Sequence, residues 1–230
     1  IEAINNLGNP AALIGHSLGE YTALCLSGYL DYKDALKVIA VRGEEMHKAV
    51  ENSNTTMAAV LTGDLETTIE EVEKLNNQGI QIWISNFNDP SQIVISSYID
   101  DMNYLKSNPK ALGAKRVIPL EVAGAFHTEI VSSAKKPLED TLNSIDISEG
   151  KIPVYMNVDA KKVEVSTLKE SLVNQIDNSV LFNQQIECVN NDIDPDLWCH
   201  IGPGNVTAGM VRKSISYKDL KVINSLESSK

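Results

Sequence analysis

Apolar residues recur along this chain at two different periods, and the change from one period to the other divides it. Residues 36–51 (LKVIAVRGEEMHKAVE) set apolar side chains three and four apart with charges opposite, the period of an amphipathic helix. Over residues 54–122 the pattern shortens. TMAAVL predicts a strand, LETTIEEVEKLNNQ a helix, IQIWIS and SQIVISS two strands, YIDDMNYLKSNPKAL a helix and KRVIPLEV a strand. That order, β-α-β-β-α-β, is a split βαβ or ferredoxin-like unit, so 54–122 is expected as a subdomain inserted into a core built from 1–53 and 123–230. Beyond it come a helical stretch from about Glu129 to Ile145, the strand IPVYMNV, helices near 166–178 and 181–191, and the strand DLWCHIGP. Strands alternating with helices outside the insertion predict an α/β core with an open, largely parallel sheet covered on both faces. The tail after about Ser225 is expected to fray.

The stretch AALIGHSLGEYTALC, residues 11–25, stops an apolar strand at Gly15, sets Ser17 between two glycines and begins a helix at once. A strand, tight turn and helix lift the turn residue above the carboxyl end of a sheet, in a strained and crowded backbone. Gly15 and Gly19 are expected to relieve that crowding. Ser17 then stands exposed as a nucleophile, with the Leu18 N–H at a helix N-terminus to stabilise an oxyanion. Such an elbow belongs on an α/β-hydrolase-like core; a plain glycine-rich turn is the alternative.

A serine nucleophile needs a base, and four histidines are available. His16 neighbours Ser17, but adjacent residues on an elbow point apart, which suits a supporting role. His47 lies on the polar side of a helix, and His200 sits at a strand end. His127 follows KRVIPLEV in EVAGAFHT, where Gly124 and Ala125 permit close backbone approach, and it is the strongest candidate. If the chain order were that of α/β-hydrolase esterases, the orienting acid would be Asp64, Asp89, Asp100 or Asp101, all inside the insertion.

Composition narrows the partners. The 230 residues, 43% hydrophobic, suffice for a large core. A formal charge of -11 argues against a nucleic-acid or anionic-membrane surface, so an acidic partner needs a local basic patch; Lys115 with Arg116, and Arg212 with Lys213, are the candidates. No apolar run approaches the roughly 18 residues of a membrane helix, and no export signal opens the chain, which makes the cytoplasm the default location. Cys25, Cys188 and Cys199 are too few and too widely spaced for a disulfide framework or a zinc site, and no metal site is expected.

The segments GHSLGEY, VRGEEM, NFNDPSQIVISS, KRVIPLEVAGAFHT, PVYMNVDA and IGPGNV, in that order, resemble malonyl-CoA:acyl carrier protein transacylases and the acyltransferase domains of polyketide synthases over nearly the whole chain. The resemblance implies Ser17 as the acyl-carrying nucleophile, His127 as its base, and Arg42 as the grip on the malonyl carboxylate. It implies that Phe126, in GAFH, limits room at the α-carbon, that Gln175 matches the position whose carbonyl orients the histidine, and that Asn157 lines the pocket, a turn-forming role being the alternative. His16 falls among the substrate-binding positions. The partners implied are a CoA thioester and the phosphopantetheine thiol of an acyl carrier protein, in fatty acid or polyketide synthesis, free-standing or beside other domains of a synthase, with no metal or redox cofactor. The family also carries a Gly-Gln-rich segment near its N-terminus that supplies a second oxyanion donor. This sequence begins only 16 residues before Ser17, so the N-terminal part of the domain is expected to be missing. An acyl hydrolase that clears carrier proteins and a non-catalytic docking domain are the rival functions.

Overall fold

The computed structural model describes residues 8–224, so the expected fraying after Ser225 lies outside the described residues. The structure is mixed α/β, with parallel and antiparallel pairing in separate ladders. Chain order begins with β1 (Leu13–Ile14), α1 (Leu18–Ser27) and α2 (Tyr32–Val50). Asp31 caps α2 by accepting from Lys33 N, and Ala35, Val38, Arg42, Met46 and Val50 repeat at helical spacing on the face turned inward. One polar residue, Arg42, therefore lies on the buried stripe.

Residues 55–119 supply β2 (Thr55–Thr62), α3 (Leu65–Asn77), β3 (Ile82–Asp89), β4 (Gln92–Tyr98), α4 (Ile99–Ser107) and β5 (Ala114–Pro119). The four strands form one antiparallel sheet in the order β3-β4-β2-β5, with Val60 opposite Ile93 on one side and Val117 on the other. Ala58, Val60, Ile93 and Ile95 pack beneath Val72 and Leu75 of α3 and Met102 and Leu105 of α4, a core separate from the main one. The edge strand β5 exposes Lys115 and Arg116, charges that discourage edge-to-edge pairing.

The rest comprises a 3-10 segment (Glu129–Ala134), α5 (Lys135–Asn143), β6 (Val154–Tyr155), α6 (Val165–Asn174), α7 (Phe182–Ile193), β7 (Trp198–Ile201), α8 (Val206–Ser214) and β8 (Leu220–Ile223). The parallel part is smaller than the expected open sheet. Among the described residues β1 pairs only with β6, and β7 only with β8. The helix expected over 166–178 ends at Asn174, and that early end frees the Gln175 carbonyl for another partner. Several hydrogen bonds tie the antiparallel sheet to the remainder. Phe87 N donates to Val180 O and Val180 N to Ser85 O, each at 2.9 Å, which joins β3 to the chain just beyond Gln175. At the start of the interior strand β2, Thr55 Oγ1 accepts from Ala125 N at 3.0 Å, and nearby Gly124 lies against Val50 too closely to carry a side chain. Among the described residues no helix is long and apolar enough to cross a membrane.

At the β1–α1 junction the two glycines differ. A Cβ on Gly15 would collide with the backbone of Gly19 and Glu20, whereas one on Gly19 would meet nothing within 4 Å. The expectation that both relieve crowding therefore holds for Gly15 alone; what Gly15 must clear is the main chain of Gly19. Gly15→Ala is expected to lower unfolding stability by about 1–3 kcal/mol, since backbone cannot rotate away as a side chain would. Gly19→Ala, inside a helix, should be neutral or stabilising by up to about 1 kcal/mol. Denaturant midpoints of the two variants check this, and equal losses would contradict it.

Candidate active site

Ser17 occupies the turn with φ 50° and ψ -106°, a positive φ that an L side chain rarely adopts and that costs on the order of 1–3 kcal/mol. Neighbouring side chains hold it there. Ser17 N donates to Asn157 Oδ1 at 2.8 Å, and the Asn157 amide in turn donates to Gly15 O at 2.7 Å. Ser17 O accepts from Gln175 Nε2 at 3.0 Å. Both polar groups of the strained residue are thereby satisfied by residues far away in sequence. Leu18 N heads α1 and has no hydrogen-bond partner among the described residues, so it is free to meet a ligand oxygen.

Ser17 Oγ lies 2.8 Å from His127 Nε2. His127 Nδ1 lies 2.8 Å from the Gln175 carbonyl, which can only accept, so Nδ1 carries the proton and Nε2 presents a lone pair to the serine hydroxyl. The histidine is itself held at φ 59° and is 6% exposed. Burial, and then the charge of Arg42, push it down to about 3, so the ring is neutral and proton-accepting. The orienting group is a main-chain carbonyl, and the four aspartates of the esterase order are engaged elsewhere. Asp64 caps α3, Asp89 is held by Ser91 and Lys213, Asp101 accepts from Gln81 N, and Asp100 lies in the first turn of α4.

Arg42 reaches the same hydroxyl. Its Nη2 donates to Ser17 Oγ at 2.9 Å and to Gln175 Oε1 at 3.0 Å, its guanidinium stands 5.6 Å from the centre of the Tyr21 ring, and its Nε has no partner among the described residues. At 7% exposure this is a largely desolvated cation beside the nucleophile, suited to a carboxylate. Gln175 is fully buried; its Nε2 also donates to Glu20 Oε2 at 2.6 Å.

The remaining predicted positions lie close by but do not all face the hydroxyl. Asn157 is fully buried, and its amide is occupied by the elbow backbone, so it supports Ser17 from beneath rather than lining a pocket. His16 points away from Ser17. Its Nε2 lies 2.9 Å from Asn88 Oδ1, and its ring packs edge-on against Phe182 with centroids 5.1 Å apart. Burial holds His16 below its usual pKa. Together with Leu18 and Gly19 it borders a cleft of about 590 Å³ that runs to Trp198 and His200. Phe126 is half-buried against the main core. Of the basic candidates, Lys213 pairs with Asp89 at 3.1 Å, next to the His16 partner Asn88, while Lys115 and Arg116 lie on the far edge strand β5. Sequence reasoning missed Glu20 and Asn88. An acidic residue in the first turn of a helix usually faces water, and the one hint was that Glu20 falls three positions after Ser17, on its own side of the helix.

Residues 4–227 match the acyl transferase domain family. The chain is 38% identical over 205 residues to a malonyl CoA-acyl carrier protein transacylase of Bacillus subtilis, covering 89% of this chain and 64% of that protein. It is 34% identical over 231 aligned positions to a Staphylococcus aureus protein of the same name, covering 100% of this chain and 74% of that one. Among solved structures, MCAT from Streptococcus pneumoniae superposes with a TM-score of 0.88 at 32% identity, over 97% of this chain and 73% of that one. A malonyl-transacylase in complex with a type II PKS acyl-carrier protein gives 0.88 at 29% identity, over 96% and 72%. The chain thus spans 64% to 74% of the length of these relatives. A match over nearly every residue, joined to a serine, a histidine and an arginine converging on one hydroxyl, leads to one conclusion: the chain belongs to the acyl transferase domain family.

Proposed function

We propose that the chain transfers a malonyl group from malonyl-CoA to the phosphopantetheine thiol of an acyl carrier protein through an ester on Ser17. The observation that carries this reading is the meeting of His127 Nε2 and the buried Arg42 Nη2 on Ser17 Oγ, at 2.8 and 2.9 Å. A nucleophile and base suffice for a hydrolase; a desolvated guanidinium beside them suits an acyl group that bears its own carboxylate. The names of the relatives point the same way.

In the first half-reaction Ser17 Oγ attacks the thioester carbonyl while its proton passes to His127 Nε2. The Gln175 carbonyl keeps the ring oriented, and the Leu18 N–H faces the oxyanion. Collapse of the tetrahedral adduct breaks the C–S bond, and the CoA sulfur leaves with the proton from His127. In the second half-reaction His127 takes the proton of the carrier thiol, whose sulfur attacks the Ser17 ester, and Ser17 regains its proton as the C–O bond breaks. Only protons and an acyl group move, so the steps balance without a metal or redox cofactor. The exposed Arg212, beside Lys213 at the Asp89 end of β3, is the basic feature we assign to the acidic carrier protein. For the architecture we infer a ferredoxin-like unit at 54–122 inserted into an α/β-hydrolase-like core of 1–53 and 123–230. The strand order β3-β4-β2-β5 and the elbow after β1 support it.

Incubation of the intact protein with malonyl-CoA should add one malonyl mass at Ser17, read by peptide mass spectrometry, and none in Ser17→Ala. His127→Ala should slow the step by about 10² to 10⁴, the usual loss for a general base. Because His127 in the free enzyme takes up a proton only near pH 3, kcat/KM should not fall between about pH 7 and about pH 5, where an ordinary histidine would become protonated. An unchanged rate in His127→Ala would remove His127 as the base, whereas a fall centred near 6.5 would show that burial and Arg42 do not lower its pKa.

Arg42→Ala tests the substrate class. Loss of a charge-assisted contact of about 1.5–3 kcal/mol should reduce malonyl loading at least ten-fold while acetyl loading stays level or rises. The ratio of the two is the measurement, since misfolding would depress both. A preserved malonyl preference would show that Arg42 does not read the carboxylate.

A further inference from the structure

Glu20 is the one carboxylate in this site with no part in the chemistry so far, and it is completely buried. Acidic side chains are almost never fully buried unless paired, yet among the described residues no lysine or arginine lies within ion-pair distance of it. Its partners are N–H groups. Oε1 accepts from the Asn157 main-chain N, and Oε2 accepts from Gln175 Nε2 at 2.6 Å.

We propose that Glu20 is a positioning residue for acyl transfer, fixing through Asn157 and Gln175 both the strained nucleophile and the carbonyl that orients its base. Asn157 accepts from Ser17 N, and Gln175 donates to Ser17 O while its own carbonyl takes the proton on His127 Nδ1. Two side chains therefore hold Ser17 and His127 in register, and both are anchored on one carboxylate. The carboxylate also settles which way round the Gln175 amide sits. An amide can turn over with little change of shape, but here Oε1 faces the Arg42 cation and Nε2 faces Glu20. A glutamine at position 20 could not do the same, because it offers one acceptor oxygen and one NH2 group to two incoming N–H donors. One of those donors would lose its acceptor in a site closed to water. Burial drives the Glu20 carboxyl up to about 8, opposed by the Asn157 and Gln175 hydrogen bonds and by Arg42, with Asp159 adding to the rise. Burial thus favours the acid, while the two N–H donors that face it, with no acceptor opposite, favour the carboxylate, the form whose two oxygens match both donors.

The proposal rests on Ser17 as nucleophile and His127 as base, so its test separates Glu20 from the identity of the acyl group. In the intact protein, Glu20→Gln and Glu20→Asp would be compared with wild type for thermal unfolding, for kcat and KM of acylation by malonyl-CoA, and for the rate of Ser17 phosphonylation by a neutral fluorophosphonate. The His127 Nδ1 proton would be followed by NMR. In folded Glu20→Gln we expect kcat to fall about 10- to 100-fold at unchanged KM, the scale of a small misplacement of reacting groups. Phosphonylation should slow by the same factor, and the His127 Nδ1 resonance should move as its carbonyl partner shifts. Glu20→Asp, which keeps the charge one methylene short, should fall between the two. Combining Glu20→Gln with Gln175→Ala should cost little more than either alone, because one acts largely through the other. A folded Glu20→Gln with wild-type kcat and an unmoved His127 resonance would overturn the assignment, as would failure of both Glu20 variants to fold, which would make the role purely structural. If wild-type protein accepted no malonyl group, the phosphonylation and NMR readings would still decide the question of Glu20.

Discussion

The structure turns on holding one residue, Ser17, in a backbone conformation it would not adopt by itself. A positive φ at a serine persists only where the surroundings over-determine it, and here they do so from both sides, through Asn157 on its N–H and Gln175 on its carbonyl. Because these partners are buried, each hydrogen bond acts in a low dielectric, and losing one leaves a polar group stranded at about 1–3 kcal/mol. The strain exposes the hydroxyl and points the first amide of α1 into the site. Much of the remaining fold can be understood as delivering groups to that point.

Delivery comes from three parts of the chain. Arg42 arrives on the buried face of α2, His127 on the segment leaving β5, and Gln175 on the turn that ends α6. The antiparallel sheet spans the last two, since its β5 edge leads toward His127 while its β3 edge is hydrogen-bonded to residue 180, just past Gln175. Displacing the sheet would therefore displace base and orienter together. On the opposite side of the same turn, Asp177 is held by Lys135 at 2.9 Å and by Ser132 at 3.0 Å, both on the stretch that follows His127. The charges are arranged with similar economy. Arg42 lowers the basicity of His127 while it is unpaired, and a carboxylate that neutralised Arg42 would return that basicity when substrate is in place.

The parts of this site legible in the sequence are those encoded locally. A strand, two glycines, a serine and a helix start lie within a dozen residues, so the elbow could be read without tertiary information. The strands and helices between residues 55 and 119 were legible because each carries its own period and its own turn, and the α3 cap at Asp64 is local too. What local pattern does not carry is encoded in contacts. Gln175 and Arg42 are named in the sequence through the family resemblance alone: Gln175 orients His127 with its main-chain oxygen, which no side-chain pattern reports, and Arg42 looks like a solvated helix charge until the opposing elements bury it. Glu20, which looks the same and is also buried, escaped. The difference between Gly15 and Gly19 depends on which way a missing Cβ would point. The short strand β8 was overlooked because four residues ending near the tail carry little period, and the parallel ladders are too short for pattern to bound them.

The central claim is that the acyl group rests on the enzyme between donor and acceptor. Isotope exchange tests it most directly. With the intact protein, malonyl-CoA and labelled free CoA, and no carrier protein present, a covalent Ser17 intermediate predicts that label enters malonyl-CoA at a rate comparable to turnover, and that Ser17→Ala abolishes the exchange. Exchange that appears only when carrier protein is added would mean direct transfer between the two thiols, and would contradict the account.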